Sequence, residues 1–188
     1  MKKLKALLAN MFKGFEPRRY LNMDEVELKS NIDGVEYRLA EREDIVEMLA
    51  IERDVYNGEV PWTFSHFEHE IVQNENAFFV SAVVDGKLIG FIGIRLTERG
   101  KVVHITNLAV SVAYQGRGVG THLVNQMIRL MTLLGKNQVT LEVRRDNTKA
   151  QGLYRRLGFS TGKLISQYYE DGGDAVWMSR QLKNESKN

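Results

Sequence analysis

Apolar positions along this chain switch repeatedly between a period of two and a period of three to four, and the switches mark the elements. Val35 to Leu39 alternates and predicts a strand, entered from the turn signal Asn31-Ile32-Asp33-Gly34. Asp44 to about Tyr56 carries Ile45, Met48, Leu49 and Val55 at helical spacing. Asn57-Gly58 ends that helix, Pro61-Trp62 follows, and a second short helix is expected from Ser65 to Gln73. Ala77 to Val84 and Lys87 to Leu96 read as two apolar strands of a hairpin turned at Asp85-Gly86. Lys101 to Val110 continues the run as a third strand. Val119, Leu123, Met127, Leu130, Met131 and Leu134 then line one side of a long helix, with Gly135 placed to cap its end. A strand at Gln138 to Arg144, a helix from Thr148 to Leu157, a strand beginning at Gly158-Phe159 and a last strand from Asp174 to Leu182 complete the order β-α-α-β-β-β-α-β-α-β-β. That order predicts a mixed α/β (α+β) architecture, with helices on the faces of a sheet joined by hairpins and crossovers.

Residues 1–31 read as an extension outside this pattern. Leu4, Leu7, Leu8, Met11 and Phe12 keep a helical period against Lys2, Lys3, Lys5 and Lys13, and Pro17 breaks the helix. Such a segment suits a short helix packed on the domain or on a second subunit better than a membrane-surface helix. Residues 32–182 form the main domain, and 183–188 a polar tail. Composition narrows the function classes. A net charge of +2 makes no electrostatic case for nucleic acid. No apolar run approaches a membrane span, and the short run Ala6-Leu7-Leu8-Ala9 is too brief for a secretory signal. The absence of cysteine removes thiolate catalysis and Cys-ligated metals and fits a reducing, cytoplasmic setting. His66 and His69 sit three apart without a third ligand at useful spacing, so no metal is expected.

The stretch Thr106 to Gly120 couples a buried strand to a glycine-rich loop and a helix that starts inside the loop. Glycines there leave backbone N–H groups uncovered, and the positive end of the helix dipole favours phosphate or pyrophosphate. A permissive strand-to-helix turn explains the same glycines. Gly116, Gly118 and Gly120 are spaced Gly-x-Gly-x-Gly, and no Gly-x-x-x-x-Gly-Lys-Ser/Thr occurs, so the two better-known phosphate loops do not apply.

The second informative stretch is Val139 to Ala150. On a strand, Val139, Leu141 and Val143 face one way and Thr140, Glu142 and Arg144 the other. Glu142 is a carboxylate with apolar neighbours in sequence, a setting that can raise its pKa. His104, on an earlier strand, reads as a packed or edge residue. Asp146 or Asn147 can cap the next helix, and Tyr154 follows Asn147 about two turns on. Acyl transfer to an amine needs a proton acceptor and a proton donor for the departing group, and Glu142 and Tyr154 are the right types. A strand glutamate paired with an arginine and a half-buried helix tyrosine are equally good readings of the same residues.

Gln115-x-x-Gly118-x-Gly120 resembles the acyl-CoA pyrophosphate loop of the GNAT acetyltransferases. Leu141-Glu142-Val143-Arg144, Asn147, Ala150, Leu153-Tyr154, Leu157-Gly158-Phe159 and Tyr168-Tyr169-Glu170-Asp171-Gly172-Gly173-Asp174-Ala175 resemble the matching blocks of the RimI-type ribosomal-protein-alanine N-acetyltransferases in that superfamily. Ile51-Glu52 leading to Pro61-Trp62 is similar as well, so the likeness runs over about residues 36 to 182. It implies the GNAT acyl-CoA N-acyltransferase fold and acetyl-CoA as co-substrate. It further implies that Leu108, Ala109 and Val110 pair their backbone with the pantetheine arm. Gln115, Gly116, Arg117, Gly118, Val119, Gly120 and Thr121 would form the pyrophosphate loop, with Asn147 on the CoA side. Glu142 would be the proton acceptor, Tyr154 the proton donor, and Pro61 and Trp62 part of the acceptor groove. The implied acceptor is a protein N-terminus, the N-terminal alanine of a small-subunit ribosomal protein. One departure stands out: Ser111-Val112-Ala113-Tyr114 occupies the turn where relatives often carry Asp-Pro. A GNAT acting on lysine or a small amine would share the fold and cofactor loop, and a non-catalytic acetyl-CoA-binding module would keep the loop alone.

Overall fold

The computed structural model describes residues 32–56, 58, 61–97 and 100–182. The expectations for the N-terminal extension and the polar tail lie outside the described residues. One seven-stranded sheet runs through the domain in the order β1-β2-β3-β4-β5-β7-β6. Its strands are β1 (Glu36–Leu39), β2 (Ala77–Val84), β3 (Lys87–Thr97), β4 (Val102–Val110), β5 (Gln138–Arg144), β6 (Ser160–Ile165) and β7 (Ala175–Gln181). The helices are α1 (Ile45–Val55), α2 (Phe64–Glu68), α3 (Val119–Leu133) and α4 (Thr148–Arg156). Every element predicted from the hydrophobic pattern within these residues is present, in the predicted order. Details differ at the ends: a 3-10 turn at Arg42–Asp44 leads into α1, and α2 runs on into a π-helical turn at His69–Gln73.

Helices cover the sheet on both faces, which is why β2 and β3 are nearly continuous apolar runs rather than strict alternations. On one face α3 buries Val119, Leu123, Met127, Leu130 and Met131 against Ile92, Ile94, Val103 and Leu141. On the other, Ile45, Met48 and Ile51 of α1 join an aromatic group centred on Phe67, whose ring lies 5.2 Å from Trp62, 6.0 Å from Phe79 and 5.7 Å from Phe91. Gly135 follows α3 with φ +68°, the left-handed conformation that ends helices and favours glycine.

All strand pairs are antiparallel except β4 with β5, and that parallel ladder has only three rungs: Val102 with Gln138, Val103 with Val139 and His104 with Thr140. Beyond them β4 stays on β3 and β5 stays on β7. The register of β3 with β4 shifts between Gly93 and Ile94, leaving Thr106 as an extra residue between Ile105 and Asn107. A bulge of this kind bends its strand and increases local twist. The sheet therefore forks.

Under the fork, a Cβ added at Gly93 would lie 2.4 Å from the Phe79 ring, and that ring is locked between Trp62 and Phe67. Gly93→Ala is expected to lower stability by about 1–3 kcal/mol, read as a reduced midpoint in thermal or urea unfolding.

Candidate active site

Among the described residues, the fork leaves the β5-facing edge of Leu108–Val110 without a strand partner. An extended chain of amides can lie there as an added strand would. Two of the buried side-chain atoms that lack a hydrogen-bond partner, Thr106 Oγ1 and Asn107 Oδ1, sit at the bulge beside this opening. Orphaned buried acceptors are uncommon and mark a place where a donor is expected to arrive.

At the end of β4 the chain turns through a 3-10 turn, Val112–Tyr114, held from α1 by Asp54, whose Oδ2 accepts from the Val112 N–H at 2.9 Å. Gly116 and Gly118 follow with φ +75° and +87°, so both need glycine's backbone freedom. The first hydrogen bond of α3 runs from the His122 N–H to the Gly118 carbonyl at 2.9 Å, so the amides of Val119, Gly120 and Thr121 precede the helical ladder. The loop and helix start have the form of an anion cradle. Gln115 serves the loop from below: its Nε2 donates to the Val110 carbonyl at 3.0 Å and its Oε1 accepts from Lys149 Nζ at 2.8 Å. Arg117 stacks over the Tyr114 ring at 5.1 Å. Asn147 caps α4 by accepting the Ala150 N–H at 3.0 Å, which settles the choice between it and Asp146.

Glu142 lies just past the last rung between β4 and β5, on the face carrying α1. Its apolar neighbours Leu141 and Val143 point to the opposite face, into the α3 core. The partner across the fork is a histidine, not an arginine: His104 Nε2 is 3.1 Å from Glu142 Oε2, and its Nδ1 is 3.0 Å from Thr140 Oγ1. Burial pushes the His104 pKa down, Glu142 pulls it up and the Arg95 charge pushes it down again, with a net lowering that favours the neutral ring. A neutral ring in this geometry donates from Nε2 to the carboxylate and accepts the Thr140 hydroxyl at Nδ1. His104 is thus more than a packed edge residue. The Tyr168 hydroxyl is 3.5 Å from Glu142 Oε2. The loop bearing Tyr168 is pinned to β5 by Arg144, which pairs with Asp171 at 2.9 Å and stacks on Tyr169 at 4.8 Å.

Tyr154 is buried, 7% exposed, with its ring edge-on to Phe159 at 5.5 Å. Burial raises its pKa well above that of a free phenol, and the nearby Tyr56 and Tyr169 raise it further, so the hydroxyl keeps its proton. Tyr169 lies near both Tyr154, whose pKa it helps to raise, and Glu142, which helps to raise its own. Trp62 turns its indole inward onto Phe67 and Phe79, so what it offers the cleft is the course of its loop, beside exposed Pro61. Its backbone N–H donates to Glu52 Oε2 at 3.2 Å. Burial pushes Glu52 up to about 7, against the pull of the Trp62 and Asn107 hydrogen bonds.

Residues 43–159 match the acetyltransferase (GNAT) family model. The chain belongs to the GNAT acetyltransferase family. It is 34% identical to the N-alpha-acetyltransferase of Sulfurisphaera tokodaii over 163 residues, covering 79% of this chain and 95% of that one. It is 34% identical to the N-alpha-acetyltransferase RimI of Mycobacterium tuberculosis over 142 residues, covering 74% of this chain and 87% of that one. The crystal structure of the ribosomal-protein-S18-alanine N-acetyltransferase from Escherichia coli superimposes with a TM-score of 0.71 at 26% identity, covering 82% of this chain and 99% of that one. The protein is an acetyl-CoA-dependent N-acetyltransferase with a GNAT fold, and RimI-type enzymes are among the relatives it resembles. Among the described residues, no group of three His, Cys, Asp or Glu is gathered as for a metal ion, and no helix is long and apolar enough to cross a membrane. His66 and His69 serve their own helix, bonding to Thr63 and Gln73.

His104 and Glu52 are among the residues around the fork to which the sequence reading gave no catalytic or binding role. Only their cross-strand and cross-loop partners make them conspicuous. For Glu52 the sign of the pH effect is fixed: its folded pKa of about 7 lies above the ordinary 4.5. Stability from this group is fully present below the lower value and is lost as pH rises through the upper one. The melting temperature of Glu52→Gln minus that of wild type is therefore expected to grow between pH 5 and 8. A difference that stays flat across that window contradicts the assignment.

Proposed function

We propose that this GNAT enzyme moves an acetyl group from acetyl-CoA to the N-terminal α-amine of a protein, and that the acceptor is the N-terminal alanine of a small-subunit ribosomal protein. The observation that carries the reading is the fork between β4 and β5 with the Glu142 carboxylate on its α1 side; Tyr154 on α4 supplies a phenol held protonated. The free edge of Leu108–Val110 receives the pantetheine amides, and the amides from Gly116 to Thr121 receive the pyrophosphate. Gln115 and Arg117 shape that loop, and Asn147 holds the start of α4 beside it. The co-substrate supplies an activated thioester. Glu142 accepts the proton that the amine sheds as its nitrogen attacks the thioester carbonyl, and His104 holds the carboxylate in place. Tyr154 gives its proton to the thiolate as the C–S bond breaks. No covalent enzyme intermediate is required, and the chain has no cysteine to form a thioester. The acceptor's first residues lie along the loop carrying Pro61 and Trp62 and beneath Tyr168. The names of the M. tuberculosis and S. tokodaii relatives and of the E. coli structure support an α-amine acceptor, and the last supports N-terminal alanine.

The test is a matched peptide set read by mass: a free N-terminal Ala, the same peptide blocked and carrying one internal Lys, and a polyamine. Acetylation of the free-Ala peptide alone is expected. Acetylation confined to the Lys peptide or the polyamine discards the acceptor. Glu142→Gln and Tyr154→Phe are each expected to lower kcat by about 10²-fold or more with acetyl-CoA binding intact, and wild-type turnover in both would discard the assigned roles.

A further inference from the structure

Asp44, Glu52 and Glu70 are buried carboxylates of this domain. Two of them have a cation against them: Arg38 Nη2 is 2.6 Å from Asp44, and Arg95 Nη2 is 2.8 Å from Glu70. Glu52, only 2% exposed, has none among the described residues. A buried carboxylate without a counter-ion is costly, and a methionine or leucine at this point of α1 would pack beside Met48 and Ile51 at no such cost. Packing therefore does not explain a glutamate here. Its hydrogen bonds do. They come from two separate pieces of the cleft: the Trp62 N–H on the loop after α1, and the side-chain amide of Asn107 on β4 at the bulge.

Asn107 carries the same message from the strand side: its amide meets Glu52, and its Oδ1 is buried beside the fork with no hydrogen-bond partner among the described residues. Glu52 also lies close enough to Tyr56 to raise its pKa, and Tyr56 in turn acts on Tyr154. The carboxylate thus stands where the acceptor loop, the donor strand and the helix bearing Tyr56 meet.

We propose that Glu52 is the positioning residue of the acceptor groove: by accepting from Trp62 on the loop and Asn107 on β4, it fixes the Pro61-Trp62 loop against the donor strand beside the fork. This rests on the reading of that loop as the seat of the acceptor. The role is distinct from that of Glu142, which stands at the other strand of the fork and meets the reacting nitrogen.

The experiment uses the full chain with Glu52→Met, which keeps volume and removes both acceptors, and Glu52→Gln, which keeps one acceptor oxygen. Amide hydrogen exchange at Trp62 is expected to quicken about tenfold or more in Glu52→Met, with β4 and β5 unchanged, and to recover in part in Glu52→Gln. In steady-state kinetics Glu52→Met is expected to raise the KM for the acceptor peptide about tenfold, with kcat within about twofold of wild type and the KM for acetyl-CoA unmoved. Unchanged Trp62 exchange in Glu52→Met overturns the proposal. So does a fall in kcat at constant acceptor KM, which would place Glu52 in the chemical step. A wild-type enzyme that acetylates no amine would overturn the acceptor reading beneath it. The two failures are told apart because the exchange at Trp62 is read without any acceptor.

Discussion

The cleft depends on a ladder that stops. β4 and β5 share three rungs and then follow different partners, β3 and β7, to which each is bound along most of its length. Backbone hydrogen bonds compete for a strand's direction, and here the antiparallel ladders on the outer sides outnumber the parallel rungs in the middle. The bulge at Thr106 turns β4 away just beyond the last rung. Helices packed on both faces stop the two halves of the sheet from closing again, because closure would expose the α1 or the α3 core. An enzyme that must hold a long extended co-substrate and a peptide acceptor together can use a split of this kind, since it offers unpaired backbone at a buried depth.

The two faces of the sheet give the cleft its chemical polarity. The two-residue period of β5 sends Leu141 and Val143 into the α3 core and Glu142 to the α1 side, where His104 and Tyr168 meet it. Burial and Arg95 bias the histidine toward its neutral form, in which it hydrogen-bonds the carboxylate at 3.1 Å. From the helix side, Tyr154 holds its proton because burial penalises the phenolate. In the proposed mechanism the carboxylate is the base and the phenol, held protonated by its burial, the acid.

The glycine loop works by a similar economy of parts. Gly116 and Gly118 take backbone conformations that other residues resist, and the tight path they allow brings the start of α3 up to the end of β4. Asp54 and Gln115 hold that path from beneath, one by capping the 3-10 turn and the other by bridging the Val110 carbonyl to Lys149. Gln115 and Asp54 are thus engaged with the scaffold, and the backbone amides at the helix start precede the helical ladder, the arrangement that suits an anion.

Much of this was legible in the residues alone. Periodicity located each strand and helix of the described domain, because burial on one face imposes a period that local sequence must carry. Gly118 and Gly135 were legible as loop and cap positions, since positive φ favours glycine. The parity of β5 put Glu142 on the face away from its apolar neighbours, and its motif matched a known family. Partnership was not legible. Whether Glu142 would meet an arginine or His104, which of Asp146 and Asn147 would cap α4, and that Glu52 would be buried against Trp62 and Asn107 all depend on contacts between residues distant in the chain or on one loop's final path. The sequence by itself determined the order of elements and the loop chemistry, because these follow from local period and backbone preference. The tertiary structure alone decided the length of the β4–β5 ladder, and with it which polar groups stand at the fork, because strand pairing is a competition among neighbours that no single segment encodes.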